Sequence, residues 1–350
     1  MTAQPKRWGL IAWAASALLF PLFYGTDWLP NGARSDFRTL WLAVQQLGTS
    51  RLDWAYPPQM LFPFGALAQL PLGLAFHLWN AHTALLFFLA ARPWLPPGIP
   101  RILALLTPAA AVNLYFGQLG LLVGALWLWT FRRAPWAAAL LTVKPHLALL
   151  GAIPILSDWR LTLRTAAVMG AIVALSIAVF GLDPWRLYAA QLFNNGSRFA
   201  QAPPLSFIIY GVTPLMGYPA WAWLIFAAAA AWLLSWNCHV FTAATATFLI
   251  SPYGFGYDMP VVCLGFALLL SVHWREMDWG ERLFATLAFL VPVLGRFGTW
   301  PQPFILLLGL WVQVRIQRPT LGFHWGTGRT TLLGPAQPAP VTAQPPPLSA

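Results

Sequence analysis

Charged residues are scarce in this chain of 350 residues, at 8% of the sequence, whereas a soluble domain has about a quarter. Hydrophobic residues make up 59%, and tryptophan occurs 21 times. This composition argues against a soluble globular domain and indicates an integral membrane protein. At roughly 20 apolar residues for each span, the length allows about ten membrane helices with short connections.

Cysteine and the common catalytic motifs are also rare or missing. The two cysteines, Cys238 and Cys263, lie in or beside apolar segments without metal-binding spacing, which favours packing roles. No Walker, GxSxG, HExxH or CxxC motif occurs, which argues against ATPases, serine hydrolases and zinc enzymes. There is no convincing DxD motif, the motif with which many enzymes bind the metal ion that holds a nucleotide-sugar donor. We therefore expect no metal site and no cofactor.

The net charge of +11 does not indicate a nucleic-acid partner, because the basic residues stand singly or in pairs at the ends of apolar segments. The positive-inside rule explains such a distribution. With the N-terminus in the cytoplasm, thirteen basic residues fall on the cytoplasmic side and six outside, and Lys144 falls within the membrane region. We expect a multi-pass protein of the cell membrane that is surrounded by membrane lipids.

The pattern predicts an all-α fold, a polytopic transmembrane helical bundle of about 10–12 membrane helices, some of them short or broken. Residues 1–316 form the predicted membrane domain, and residues 317–350 form a disordered, Pro-rich cytoplasmic tail. The expected segments are about Trp8–Tyr24, Gln59–Ala91 with breaks at Pro63 and Pro71, a helix ending at Tyr115, Leu119–Phe131, Leu161–Gly181, Pro219–Trp236, Val240–Ile250, Met259–Val272, Leu283–Leu294 and Pro303–Val314.

The first long polar connection, Thr26–Pro58, contains three of the nine acidic residues. After Asp36, apolar residues recur at spacings of three and four, which predicts an amphipathic helix with Asp36 at its N-cap or first turn. The stripe consists of Phe37, Leu40, Trp41, Val44 and Leu47. We expect this helix to lie in the membrane interface of the outer loop.

Residues 134–157 lie between two basic clusters that are both expected in the cytoplasm. An even number of crossings is then required, although 24 residues are too few for two full helices. Two short, broken or tilted helices, or a re-entrant hairpin, would satisfy this requirement. Lys144 lies near the middle, and an ammonium at membrane depth needs a partner. Few acids are near it in sequence, so we expect a lipid phosphate to be that partner.

The polar residues near the predicted outer helix ends form compact groups that all map to one side. These groups are Asp36, Tyr56-Pro57-Pro58, Asn113, Phe116-Gly117-Gln118, Lys144-Pro145-His146, Ser251-Pro252-Tyr253 and Tyr257-Asp258. Each has a structural alternative. Asp36 would be a helix cap, Gln118 would satisfy backbone at a helix end, His146 would be an interior histidine, and Asp258 would be a solvated cap or a partner of Arg296. The YPP segment would be structural.

The order of these groups along the chain resembles glycosyltransferase family 87 over about Asp36 to Asp258. The order is an early Asp, then YPP, FGQ, KP within a broken helix pair, and a late SPY…YD. These are membrane enzymes of the GT-C class, similar to polyprenyl-phosphate-mannose-dependent mannosyltransferases. The resemblance implies an inverting, metal-independent hexosyltransferase that uses a polyprenyl-phosphate-sugar donor and a lipid or glycan acceptor on the non-cytoplasmic face. Asp36 would match the first-loop catalytic acid.

The remaining site residues have the chemistry that such a transfer needs. Asp36 is the candidate base for the acceptor hydroxyl. A positive charge must meet the departing phosphate, and Lys144 is the candidate for it. The full set of candidate donor-binding residues is Lys144, His146, Tyr56, Gln118, Tyr257 and Asp258. The alternative is a multi-pass transporter or lipid flippase, since broken helices with an intramembrane lysine are typical of transporter sites.

Overall fold

The computed structural model of the protein describes residues 7–19, 36–45, 56–190, 220–251, 254–294 and 301–317. Within these ranges the regular secondary structure is helical, and it includes residues 183–190. The α-helices are α1 Arg7–Ser16, α2 Asp36–Gln45, α3 Leu61–Leu67, α4 Leu72–Ala91, α5 Pro108–Phe116, α6 Gly120–Thr130, α7 Pro135–Leu141, α8 Pro145–Ala148, α9 Ile153–Leu156, α10 Trp159–Phe180, α11 Ala220–Trp236, α12 Val240–Ile250, α13 Pro260–Val272, α14 Trp279–Leu294 and α15 Gln302–Ile316. Short 3₁₀ turns cover Pro58–Met60, Arg92–Trp94, Arg101–Leu105, Leu149–Ala152, Gly256–Asp258 and Trp274–Glu276.

Among the described residues, two helical segments are long and apolar enough to cross a membrane, Leu72–Trp94 with 23 residues and Trp159–Phe180 with 22 residues. Further helices in the described ranges are apolar but shorter. Only Leu161 and Ser176 are buried along α10, so this apolar helix presents most of its surface outward, as a helix in contact with hydrocarbon does. The number of membrane crossings stays a prediction.

The centre of the bundle is formed by α12 and α13. Every residue from Val240 to Leu249 is buried, and α13 is buried from Pro260 to Leu269. Helix α13 packs against α5, α6, α12 and α14. A helix that is apolar on all sides is stable only where protein or lipid surrounds it, and here protein surrounds it. The turn just before α13 is thereby held firmly in the middle of the molecule.

The helix predicted after Asp36 is present as α2, with Phe37, Leu40 and Val44 buried. The Phe37 ring lies 5.7 Å from Phe64 and 5.8 Å from Phe76. The apolar stripe is therefore covered by protein from α3 and α4. The residues that the periodicity predicted to share one face of the helix thus pack on protein, through the Phe37, Phe64 and Phe76 rings.

Polar contacts also fasten α2 to the rest of the chain. The indole nitrogen of Trp41 donates a hydrogen bond of 3.3 Å to the Leu70 carbonyl, and the Gln45 amide donates one of 3.3 Å to the Ala68 carbonyl. Leu47 lies outside the described residues. The position of α2 relative to a membrane stays a prediction.

One of the two proline breaks predicted between residues 59 and 91 is confirmed. Pro71 is the N-cap of α4 and separates it from α3. Pro63 lies within the first turn of α3 without interrupting it. The first backbone N–H groups of a helix have no intrahelical acceptor, so a proline there removes no hydrogen bond.

Residues 134–157 form short helical pieces, as expected, and whether they cross the membrane or form a re-entrant hairpin stays a prediction. Helix α7 ends at Leu141, and the returning half is divided into α8, a 3₁₀ turn and α9. Lys144 lies at the break with non-helical φ −128° and ψ 80°, and Pro145 begins the next helix. The break arises because a residue before proline disfavours the helical conformation. The predicted tail, 317–350, lies outside the described residues except for Gln317.

Candidate active site

The Phe116-Gly117-Gln118 turn brings α2 to the rest of the site. Gly117 ends α5 in the left-handed conformation, with φ 62° and ψ 36°. A β-carbon on Gly117 would come within 2.7 Å of the Phe37 Cβ and 2.8 Å of the Phe76 ring. Glycine is required here both by the backbone conformation and by the space that Phe37 occupies. Phe37 packs against this turn, so the preceding residue, Asp36, lies beside Gln118.

Asp36 and Gln118 form the first half of the site. The Gln118 Nε2 atom donates a hydrogen bond of 2.8 Å to the Asp36 Oδ2 atom, and the Tyr56 hydroxyl donates one of 3.3 Å to the Gln118 Oε1 atom. Gln118 is buried, so contacts on both ends of its amide fix the orientation of the amide. The Gln118 side chain is thus more than a cap for a helix end.

The Asp36 residue as a whole is exposed, although its carboxyl group is directed toward Gln118. Desolvation raises the pKa of this carboxyl above its ordinary value, while the hydrogen bond from Gln118 and the charge of Lys144 act in the opposite direction. A carboxylate with a raised pKa is a stronger proton acceptor. Asp36 is therefore a solvent-accessible residue whose carboxyl group has an increased affinity for a proton.

Lys144 and Asp258 form the second half of the site. The Lys144 Nζ atom lies 2.6 Å from the Asp258 Oδ1 atom, and the two side chains are only 5% and 0% exposed. Few acids are near Lys144 in sequence, but Asp258 supplies a carboxylate partner from 114 positions away. The binding of a lipid phosphate by Lys144 stays a prediction. Asp258 is also not a solvated cap. Arg296, its other suggested partner, lies outside the described residues.

Two tyrosine rings flank the Lys144 ammonium and join the halves of the site. Nζ lies 5.0 Å from the centre of the Tyr257 ring and 5.9 Å from that of Tyr56. Both distances allow a cation–π attraction. Tyr257 stacks on Phe255 with the ring centres 5.0 Å apart. Tyr56 touches Gln118 with its hydroxyl and faces Lys144 with its ring, so it connects the Asp36 and Lys144 halves.

The turn that holds Tyr257 and Asp258 is pressed against α5 and α6. The Asn113 Nδ2 atom donates a hydrogen bond of 3.3 Å to the Tyr257 carbonyl. A β-carbon on Gly120 would lie 1.7 Å from that same carbonyl oxygen, so the backbones touch there. From the sequence, Asn113 was grouped with the outer polar residues but was given no role. Gly120 was missed, because a glycine at the start of a helix carries no distinctive signal.

His146 and Ser251 of the SPY segment lie in the described part of the chain. His146 is half-buried on α8, near enough to Lys144 for the ammonium charge to act on its ring. Ser251 is buried, and Pro252 and Tyr253 lie outside the described residues. Six of the seven candidate site residues are linked to one another by direct contacts, and His146 follows Lys144 by two positions. Their roles in a reaction stay predictions.

A family model, glycosyltransferase family 87, matches residues 54–253, which is more than half of the chain. No curated protein and no solved structure matched. The matched range includes Tyr56, Gln118, Lys144 and His146. Asp36 lies before it, and the Tyr257–Asp258 turn lies after it. Together with the two long apolar helices, it indicates a membrane protein. The chain belongs to glycosyltransferase family 87 and is therefore a glycosyltransferase.

Proposed function

We propose that the protein is an integral membrane glycosyltransferase of the GT-C type. It transfers a hexose, with mannose as the first candidate, from a polyprenyl-phosphate-linked donor to a lipid or glycan acceptor. The observation that carries the proposal is that a carboxylate and an ammonium are connected within one cluster of side chains. An accessible carboxylate, Asp36, is hydrogen-bonded to Gln118 at 2.8 Å, and Tyr56 links Gln118 to the cation Lys144.

In this proposal Asp36 is the general base. The acceptor hydroxyl gives its proton to the Asp36 carboxylate while its oxygen forms a bond to the anomeric carbon of the sugar. The hydrogen bond from Gln118 to Oδ2 orients the carboxylate, and among the described residues Oδ1 has no hydrogen-bond donor, so it can accept the incoming proton. The raised pKa of Asp36 supports this role, because it brings the affinity for a proton closer to what the transfer requires.

Lys144 provides the positive charge for the leaving group. As the bond between the anomeric carbon and the phosphate oxygen breaks, its electron pair stays on the polyprenyl phosphate, which gains negative charge. An ammonium in a dry site stabilises such a charge strongly. One displacement inverts the configuration at the anomeric carbon, and Lys144 does at the phosphate what a metal ion does in other transferases. A phosphate leaving group needs little protonation, so one acting carboxylate is sufficient.

We further propose that the site faces the non-cytoplasmic side of the cell membrane in a multi-pass bundle. The thirteen-to-six distribution of basic residues supports this orientation. The outward apolar surface of α10 supports insertion into lipid. Residues 1–316 would form the membrane domain, and the Pro-rich tail would lie in the cytoplasm.

Purified protein incubated with labelled polyprenyl-phosphate mannose, or with the corresponding glucose donor, tests the proposal. Transfer of label to an added lipid or glycan acceptor is expected, with loss of transfer in Asp36→Asn. Release of no labelled product from either donor, in a preparation that still binds donor, would contradict the proposal. Movement of intact donor across a vesicle membrane by that preparation would favour the flippase alternative.

A further inference from the structure

The Lys144–Asp258 ion pair occupies the position where the proposed function needs a phosphate. Nζ and Oδ1 are 2.6 Å apart, a short charge-assisted hydrogen bond. Neither side chain is open to solvent, with 5% and 0% exposure. An anionic ligand therefore has no exposed ammonium to bind beside an intact pair. It reaches Lys144 only if the pair opens.

Both partners of the pair have unused hydrogen-bonding capacity. An ammonium has three N–H donors, and among the described residues Asp258 Oδ1 is the hydrogen-bond acceptor found for Nζ. The other carboxylate oxygen, Oδ2, is buried and has no hydrogen bond of ordinary geometry in the same part of the chain, although the Phe255 backbone N–H interacts with the carboxylate. A buried ion pair is a strong stabilising element only when its remaining groups are also satisfied. This pair is incompletely satisfied, which favours exchange of partners.

The balance of charge points the same way. The described part of the site contains two carboxylates, Asp36 and Asp258, and one ammonium. A sugar phosphodiester adds another negative charge, and the leaving phosphate adds more. A phosphate bound at Lys144 and a carboxylate still held at 2.6 Å would repel each other across the same cation. The two anions therefore compete for one position.

We propose that Asp258 is an internal anion that occupies the phosphate-binding position of Lys144 in the empty enzyme and is displaced by the phosphate of the donor. Asp258 thus holds the ammonium in place until substrate arrives, because an unpaired buried ammonium would be costly. The exchange deepens the proposed function and rests on it. It makes Asp258 a positioning residue, while Lys144 is the group that touches the ligand.

The location of Asp258 is suited to such an exchange. It lies on a 3₁₀ turn of three residues between α12 and α13, and that turn is attached to α5 by Asn113 through the Tyr257 backbone. The Tyr257 ring faces the ammonium from the same turn. The cation–π contacts with Tyr257 and Tyr56 keep Nζ in a favourable environment while one anion replaces the other.

Binding of farnesyl phosphate to purified protein in detergent tests the exchange. In Asp258→Asn the competing charge is gone and the side chain keeps its shape, so the affinity for farnesyl phosphate should rise about tenfold or more over the wild type. Lys144→Met and the double variant should lose most of this binding. Farnesol, which lacks the phosphate, should bind all variants alike, and inorganic phosphate should show the same order as farnesyl phosphate at lower affinity.

Matched controls separate this result from general effects of charge. Asp183 forms an exposed ion pair with Arg186 at 3.1 Å, so Asp183→Asn removes the same charge away from the site and should leave binding unchanged. Equal or weaker binding of farnesyl phosphate by Asp258→Asn would overturn the exchange. If the wild type transfers sugar in the same preparation, that failure would leave the proposed function standing. Absence of sugar transfer by the wild type would instead contradict the function itself.

A measurement on the wild type covers the case in which Asp258→Asn does not fold. Infrared difference spectra recorded on addition of farnesyl phosphate should show a change in carboxylate stretching bands, because Asp258 loses its ammonium partner. The change should persist in Asp36→Asn, which removes the other carboxylate of the site. Spectra without any carboxylate change at saturating ligand would overturn the exchange.

Discussion

Gly117 lies so close to Phe37 that a β-carbon added to the glycine would come within 2.7 Å of the Phe37 Cβ. This approach joins the end of α5 to the start of α2, and it places Asp36 at hydrogen-bonding distance from Gln118. The glycine in the FGQ turn therefore has a definite physical task. It lets an aromatic side chain from another part of the chain occupy the space beside the turn.

Gly117→Ala should lower the stability of the protein and displace Asp36. The left-handed conformation with φ 62° costs a residue other than glycine about 1–3 kcal/mol, and the clash with Phe37 adds to this cost. Thermal unfolding in detergent measures the loss. Gly65→Ala is the control, because nothing lies within 4 Å of its added carbon and alanine favours the helix. Equal melting temperatures for the two variants would show that the contact has little importance.

Asp36→Asn should reduce turnover by about 10²-fold or more, since general-base catalysis typically contributes about 10²–10⁴-fold. The asparagine oxygen still accepts the hydrogen bond from Gln118, so the fold and donor binding should be kept. Transfer rates under saturating donor and separate binding measurements check both parts. Asp183→Asn serves as a control for loss of a carboxylate. Near-normal transfer by Asp36→Asn would mean that Asp36 is only the cap of α2.

Gln118→Met should move the acid limb of the kcat/KM profile to higher pH. Asp36 must be deprotonated to act, so activity falls as the pH drops through its pKa. Desolvation already raises that pKa above the ordinary value, and the hydrogen bond from Gln118 lowers it again by favouring the charged form. Without this hydrogen bond, the effect of desolvation on the Asp36 carboxyl is opposed less, so the pKa of Asp36 should rise further. A profile whose acid limb stays in place, or moves to lower pH, would argue against Asp36 as the titrating base.

Lys144→Met should weaken donor binding as well as turnover, because the donor phosphate is charged before and after transfer. Lys144→Arg should keep part of the binding, since the charge remains but the geometry changes. Binding and transfer are measured separately on monodisperse protein, with Lys6→Met, the only other lysine, as the control. Normal donor binding by Lys144→Met would make Lys144 a structural partner of Asp258 and nothing more.

The orientation in the membrane can be measured by labelling single cysteines at positions 31 and 340, in a background where Cys238 and Cys263 are replaced by serine. An impermeant reagent added outside should label position 31 and leave position 340 unmodified until the membrane is opened. The expectation follows from the thirteen-to-six distribution of basic residues. Equal labelling of both positions from outside would overturn the proposed topology.

The amino-acid sequence by itself determined the helical class, the approximate bounds of several helices and most of the polar residues that meet in the candidate site. Helix α12 was expected at Val240–Ile250 and is found there, because apolar runs and the residues that end them are local signals. Gln118 and Lys144 could be selected because glycine, proline and lone polar groups are conspicuous in apolar sequence. The break at Lys144 likewise follows from the proline after it.

Only the tertiary structure decided which polar groups meet. The Lys144–Asp258 pair joins residues 114 positions apart, and no local pattern specifies such a pairing. Likewise, the apolar stripe of α2 was legible in the sequence, but its contact with Phe64 and Phe76 depends on where α3 and α4 pack. The periodicity of apolar residues predicts that one face of a helix is buried. Which surface covers that face depends on the packing of the whole chain.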